Sequence, residues 1–284
     1  MTMKIQQQAE IDRFLSTGSH DDTLFQIWPG NSVVERCING DAALRSALIS
    51  AVLKRTEASV SECPDYSGLE INLRAKFTPM VQGLFPQKEQ TIILDTLEHS
   101  VVFLTPATIN AIIKNTRWLS TAWNIANIYL SSMGEKSLTD ETPAILGLSE
   151  ETTCYVSVEY FRNNNPFDDY VVHEAAHIFH NCKCEMIGLH ETRRREWLLD
   201  IDFAKRETFA YSCEAYSRII ELGKTPLERF LLLSEHVEGP MPPDDRVDAD
   251  EYADILREAV SSRNGWKRIL TRCSSPKPSC RFIS

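Results

Sequence analysis

The pentapeptide His173-Glu174-Ala175-Ala176-His177 places two imidazoles four residues apart. On a helix they share one face, roughly 6 Å apart along the axis. Two rings so placed can hold one metal ion from the same side. Glu174, next to the first ring, then reaches a water on that ion as a general base, and an open coordination position remains. With seven histidines in 284 residues, the pattern arises by chance in about 1% of such chains. Its surroundings must therefore support it.

A hydrolytic site of this kind needs a third ligand. His180 lies on the same helical face, but its Cα is ~10 Å along the axis from that of His173, too far for one ion on a straight helix. The pattern in which a glycine breaks the helix and a third histidine follows is absent: His180 stands at the glycine position and Lys183 at that of the last histidine. Residues 195–222 contain no glycine or proline and read as one long helix, closed by Gly223 and Pro226. Asp200, Glu207 and Glu214 recur at seven-residue spacing and share a face. Each is ~10 Å from the next, so only one can meet the ion. Spacing alone leaves the three open.

His173-Glu174-x-x-His177 followed by Glu207-x-x-Ala210 resembles the gluzincin metallopeptidases over residues 150–222, in style closest to short cytoplasmic zincins that cleave repressors. The resemblance implies a Zn2+ ion on His173, His177 and Glu207, with Glu174 as general base for peptide-bond hydrolysis. The chain departs from the family at Tyr211, where an acid or amide usually orients a histidine ligand. Glu214, opening a similar Glu214-Ala215-Tyr216, stays the alternative ligand.

The oxyanion of the hydrolytic step needs a donor besides the metal. Tyr211, Tyr216, His190 and His236 are available, and His190 ranks first because it lies in the loop between the two metal helices. Two other readings use the same residues: a zincin-like binding scaffold, and a metal-dependent hydrolase of small amides. Glu174 counts against the scaffold, because a structural site needs no base beside its first ligand and uses four protein ligands.

The elements that must position these residues have their own signals. Asn165 and Pro166 read as N-cap and first residue of the metal helix, and Val172, Ala176 and Phe179 form its buried stripe. Residues 1–98 read as a helical region, with helices over 42–53 (capped by Asp41), 73–84 and 88–97. A buried strand over 101–104 precedes a helix running from Thr105-Pro106 through Trp118, Trp123 and Ile128 to about 132. Strands follow over 144–148 and 153–161, the latter holding Glu159 on a half-exposed face. In a zincin this last strand borders the cleft. Its edge is either free to pair with an extended peptide or paired within its own sheet.

The expected fold is thus α+β and mostly helical. A helical region over 1–98 precedes a zincin-like core with a small mixed sheet over 99–235. Residues 236–284 supply a loop at 239–245, a short helix over 251–261 and a loose tail at 274–278.

The composition, 43% hydrophobic and 25% charged, suits a globular chain with a sizeable core. A net charge of −10 and a pI near 5.3 argue against nucleic acid or an anionic membrane as partner; a protein or peptide substrate is what the resemblance to the gluzincins implies. Arg193-Arg194-Arg195 reads as solvated surface. No apolar leader and no run of 18 apolar residues is present, so the expected compartment is the cytoplasm. The eight cysteines lack framework spacing and read as thiols. Cys182-Lys183-Cys184 has no second pair with which to hold a metal.

Overall fold

The computed structural model describes residues 3–21, 26–57, 59, 71–139, 147–161, 165–192 and 195–275. It is mostly helical (66%) with a small mixed sheet of three strands. The elements are α1 (Met3–Thr17), α2 (Val33–Thr56), α3 (Leu73–Leu84), α4 (Gln87–Glu98), β1 (Val101–Leu104), α5 (Ile109–Asn115), α6 (Leu119–Ser132), β2 (Gly147–Glu150), β3 (Thr153–Ser157), α7 (Tyr170–Asn181), α8 (Arg206–Leu222), α9 (Pro226–Glu238), α10 (Ala249–Val260) and α11 (Gly265–Cys273). They fall into two compact units. One comprises residues 1–69, 103–148 and 155–161, the other 70–102, 149–154 and 162–284.

In the first unit α2 packs against α1, α5 and α6, through Leu44, Leu48 and Val52. Its N-cap is Ser32, whose hydroxyl accepts from Glu35 N at 3.1 Å. The helix therefore starts well before the expected Asp41 cap. Asp41 lies inside it and pairs with Arg45 at 2.7 Å. Arg45 also explains why the helix expected over 105–132 is two helices. Its buried guanidinium donates to Ile113 O at 2.7 Å and to Thr116 Oγ1 at 2.9 Å. Those bonds satisfy groups at the end of α5 that would otherwise be orphaned, and the chain turns before α6.

The strands pair in the order β1-β3-β2. β3 is central, so both of its edges are used and it offers none to a peptide. It is also shorter than expected: Ser157 Oγ accepts from Glu159 N at 3.1 Å, and residues Val158–Phe161 wind into a 3-10 turn. β1 has the expected bounds but is half-buried except at Leu104. Of the strand expected at 144–148, residues 144–146 lie outside the described residues, and β2 continues to Glu150.

The second unit is built around α8, which packs against α3, α7, α9, α10 and α11. The N-cap of α7 is Asp169 rather than Asn165. Asn165 instead closes a turn by accepting from Phe167 N at 3.1 Å. Asp169 accepts from Val172 N at 3.3 Å and pairs with Lys76 at 2.5 Å.

The long helix expected over 195–222 begins only at Arg206. Ahead of it the backbone bonds to the end of α7: Leu199 N donates to Phe179 O at 2.7 Å and Leu198 N to Cys182 O at 3.1 Å. The last carbonyls of a helix have no partners of their own, and this segment supplies them by staying out of the helix. Asp200 is consequently outside the helix, exposed, and accepts from Ser275 Oγ at 3.0 Å.

α9 and α11 stand outside the sequence expectation, although both carry cap signals. Thr225 and Glu228 form a capping box, and Asn264 accepts from Lys267 N at 3.2 Å. α10 lies close to the expected 251–261. Arg195 is not simply solvated, since it is half-buried and pairs with Glu89 at 2.7 Å; Arg193 and Arg194 lie outside the described residues. So do Cys63, Cys280 and residues 276–278 of the expected tail. Cys37, Cys154, Cys182, Cys184, Cys213 and Cys273 are free thiols. Among the described residues no helix is long and apolar enough to cross a membrane.

Candidate metal centre

α7 and α8 bring the chemistry together because each buries an apolar face. Val171, Val172, Ala175, Ala176, Ile178 and Phe179 of α7 are fully buried, as are Phe209, Ala210 and Cys213 of α8. A fully buried large apolar side chain contributes ~1.5–3 kcal/mol. That scale is needed, because the same helices bury His173, Glu174, His177, His180 and Glu214, and an unpaired polar group would cost several kcal/mol.

Three side-chain atoms converge. Nε2 of His173 and Nε2 of His177 are 3.2 Å apart. Oε2 of Glu207 lies 3.6 Å from the first and 3.4 Å from the second. His173, His177 and Glu207 form the one group among the described residues that could hold a metal ion. Atoms about 2.0–2.1 Å from one zinc ion at tetrahedral angles are ~3.3–3.4 Å apart, so the donor set fits an ion of that size.

Each histidine is oriented from behind. Glu214 accepts from His173 Nδ1 at 3.0 Å with Oε2 and from Asp169 N at 2.6 Å with Oε1. It thereby ties the ring to the cap of its own helix. His177 Nδ1 lies 3.0 Å from His180 Nε2, and His180 Nδ1 lies 3.1 Å from Asn181 Oδ1. Burial and the neighbouring His177 lower the pKa of His180 to about 3, so His180 is neutral. With its proton on Nδ1, facing Asn181, its Nε2 accepts from His177 Nδ1. Both relays leave an Nε2 lone pair aimed at the convergence point, the arrangement that fixes the tautomer of a metal-binding histidine.

The electrostatics match. Burial alone would lower the pKa of His173, but Glu207 and Glu214 outweigh it and push it up to about 10. Glu207, against the opposing effect of burial, is held well below the usual carboxylate range by His173 and His177.

Glu174 is buried, and its Oε2 has no hydrogen-bond partner among the described residues. Burial raises its pKa, while the charges of His177 and His173 pull it down. An orphaned carboxylate oxygen beside an ion-sized cluster of donors is what a site built around a water would show. The ring of Tyr211 packs on that of His173 with centroids 4.4 Å apart. Burial and then the nearby carboxylates raise the pKa of its hydroxyl, which therefore stays protonated.

Of the residues singled out from sequence, His173, His177 and Glu207 come together, Glu174 is buried close enough to feel the charges of all three, and Glu214 sits on the far side of the His173 ring. His190 is exposed and shares no hydrogen bond or ion pair with them. Tyr216 packs on Trp266 at 4.9 Å. His236 faces Tyr252 Oη at 2.6 Å and the ring of Phe167 at 4.8 Å. Two participants escape a reading by spacing: His180, which orients a ligand rather than being one, and Arg246, whose Nη2 lies 3.1 Å from Glu207 Oε1. Compared with known protein families, curated proteins and solved structures, the chain matches none.

Proposed function

We propose that the chain is a zinc-dependent metallopeptidase of gluzincin type, with His173, His177 and Glu207 as ligands and Glu174 as general base. The observation that carries this reading is the unpartnered, buried Oε2 of Glu174 beside the three converging donor atoms. A structural metal site would have no use for it.

When bound, a zinc ion would supply Lewis acidity, lowering the pKa of a water toward about 7 and polarising a peptide carbonyl. The chain's residues do the rest. Nε2 of His173 and of His177, with Oε2 of Glu207, hold the ion, while Glu214 and His180 keep the rings aimed. Glu174 Oε2 takes the proton of the attacking water and then delivers it to the leaving amine. Burial makes this carboxylate a stronger base than an exposed one. Tyr211 keeps its hydroxyl proton and donates to the oxyanion that develops on the substrate. Of the four donors considered from sequence, it alone packs against a ligand ring. An extended substrate does not add to β3, whose two edges are occupied.

The test is hydrolysis of a mixture of unstructured peptides by the zinc-loaded chain and by Glu174→Gln. The parent is expected to cleave, and the variant to keep its zinc while losing turnover by ~10²–10⁴-fold, the usual worth of a general base. A zinc-loaded parent that cleaves none of the peptides contradicts the peptidase reading and favours a binding scaffold.

A further inference from the structure

The loop over residues 239–248, between α9 and α10, brings one cation to the third ligand. Arg246 Nη2 lies 3.1 Å from Oε1 of Glu207, the carboxylate oxygen that does not face the histidines. The guanidinium is itself pinned. Its Nε donates to Asp244 Oδ1 at 2.9 Å and its Nη2 to Asp244 Oδ2 at 2.6 Å. The backbone N of Arg246 also donates to Asp244 Oδ1 at 2.8 Å. Two parallel bonds to one carboxylate fix the plane of an arginine fork, and what is left of Nη2 points at Glu207.

From this geometry we infer that Arg246, held by Asp244, is a positioning residue for the metal ligand Glu207. By occupying Oε1 it commits Oε2 to the ion. The inference rests on the metal reading proposed above. It completes a pattern, since each ligand then has an outer partner: Glu214 for His173, His180 for His177, Arg246 for Glu207.

An arginine near a cation site could instead weaken binding by repulsion. Exposure decides between the two effects. The Arg246 side chain is 66% exposed, that of Glu207 only 16%. Water and salt screen the long-range repulsion, whereas fixing the rotamer of a flexible carboxylate is a contact effect that screening leaves intact. Lysine cannot replace it. A single ammonium lacks the planar fork needed to grip both oxygens of Asp244 and still reach Glu207.

The experiment is Zn2+ affinity by chelator competition for the purified parent chain, Arg246→Ala, Arg246→Lys and Asp244→Ala, with thermal melting of each metal-free protein alongside. Arg246→Ala is expected to bind zinc at least ~10-fold more weakly, as loss of an outer-sphere partner does. Asp244→Ala should move the same way, and Arg246→Lys should recover only part of the loss. Melting of metal-free Arg246→Ala and Arg246→Lys should barely change, because that side chain is largely exposed. Should Arg246→Ala not fold, the other two variants carry the comparison. Variants that bind zinc as tightly as the parent, or more tightly, overturn the positioning role while leaving the metal reading intact. A parent chain that binds no zinc overturns the metal reading and this role with it.

Discussion

Glu214 Oε2 lies 3.0 Å from Nδ1 of His173, while Glu207 Oε2 lies 3.6 Å from Nε2 of the same ring. Two glutamates seven residues apart on α8 thus address opposite nitrogens of one imidazole. One can share an ion with the ring and the other can only orient it. The difference should be visible in stability as well as in metal binding.

In the metal-free protein, Glu214→Ala strips partners from two buried donors, His173 Nδ1 and Asp169 N. A buried donor left unsatisfied costs ~1–3 kcal/mol, and denaturant unfolding should show a loss of at least that size. Glu207→Ala should cost less, because it strands no buried backbone donor: Glu207 meets His173 and His177 at 3.6 and 3.4 Å, beyond good hydrogen-bond length, and its outer partner Arg246 is largely exposed. Equal losses in the two variants would contradict the division of roles.

Acid stability offers a test away from the centre. Burial lowers the pKa of His236, and its Nε2 lies 2.6 Å from Tyr252 Oη. A base whose folded pKa lies below its unfolded value is protonated more readily once unfolded, so stability rises with pH between the two values. The contribution is complete above the ordinary imidazole value of 6.5 and is lost as pH falls below it toward the folded value. Urea unfolding of parent and His236→Gln, compared across that interval, should give a shallower acid slope for the variant. An unchanged slope would mean that the ring titrates as freely in the folded chain as in the unfolded one.

Gly265 opens α11 against a tight neighbourhood. A Cβ there would lie 2.4 Å from Tyr216 Cζ and 2.6 Å from the carbonyl oxygen of Ala259. Glycine to alanine in a helix ordinarily stabilises by ~0.5–1 kcal/mol. Here the backbone carbonyl cannot give way cheaply, so Gly265→Ala should destabilise by ~1–3 kcal/mol. A raised melting temperature would show that the packing of α8, α10 and α11 is looser than described.

How far sequence alone reaches follows from what each feature depends on. The His173, Glu174 and His177 constellation needs only a helix, and spacing establishes that wherever the ends fall. Choosing between Glu207 and Glu214 needs the crossing of α8 over α7, a tertiary quantity, because both positions share one face. The segment 195–202 misleads for a similar reason. It lacks glycine and proline, yet its backbone serves the last carbonyls of α7, and that demand outweighs helix propensity. By contrast α9 was within reach, since Thr225-Pro226 with Glu228 is a complete local start signal. Arg246 was not, because nothing in a proline-rich loop marks which residue folds back onto a site.

The most direct measurement is zinc stoichiometry, by titrating Zn2+ into metal-free parent, His177→Ala, Glu207→Ala and Glu214→Ala. One tight equivalent is expected in the parent, none in His177→Ala or Glu207→Ala, and one weakened equivalent in Glu214→Ala. Tight binding of one zinc by Glu207→Ala, with none by Glu214→Ala, would contradict that ligand set.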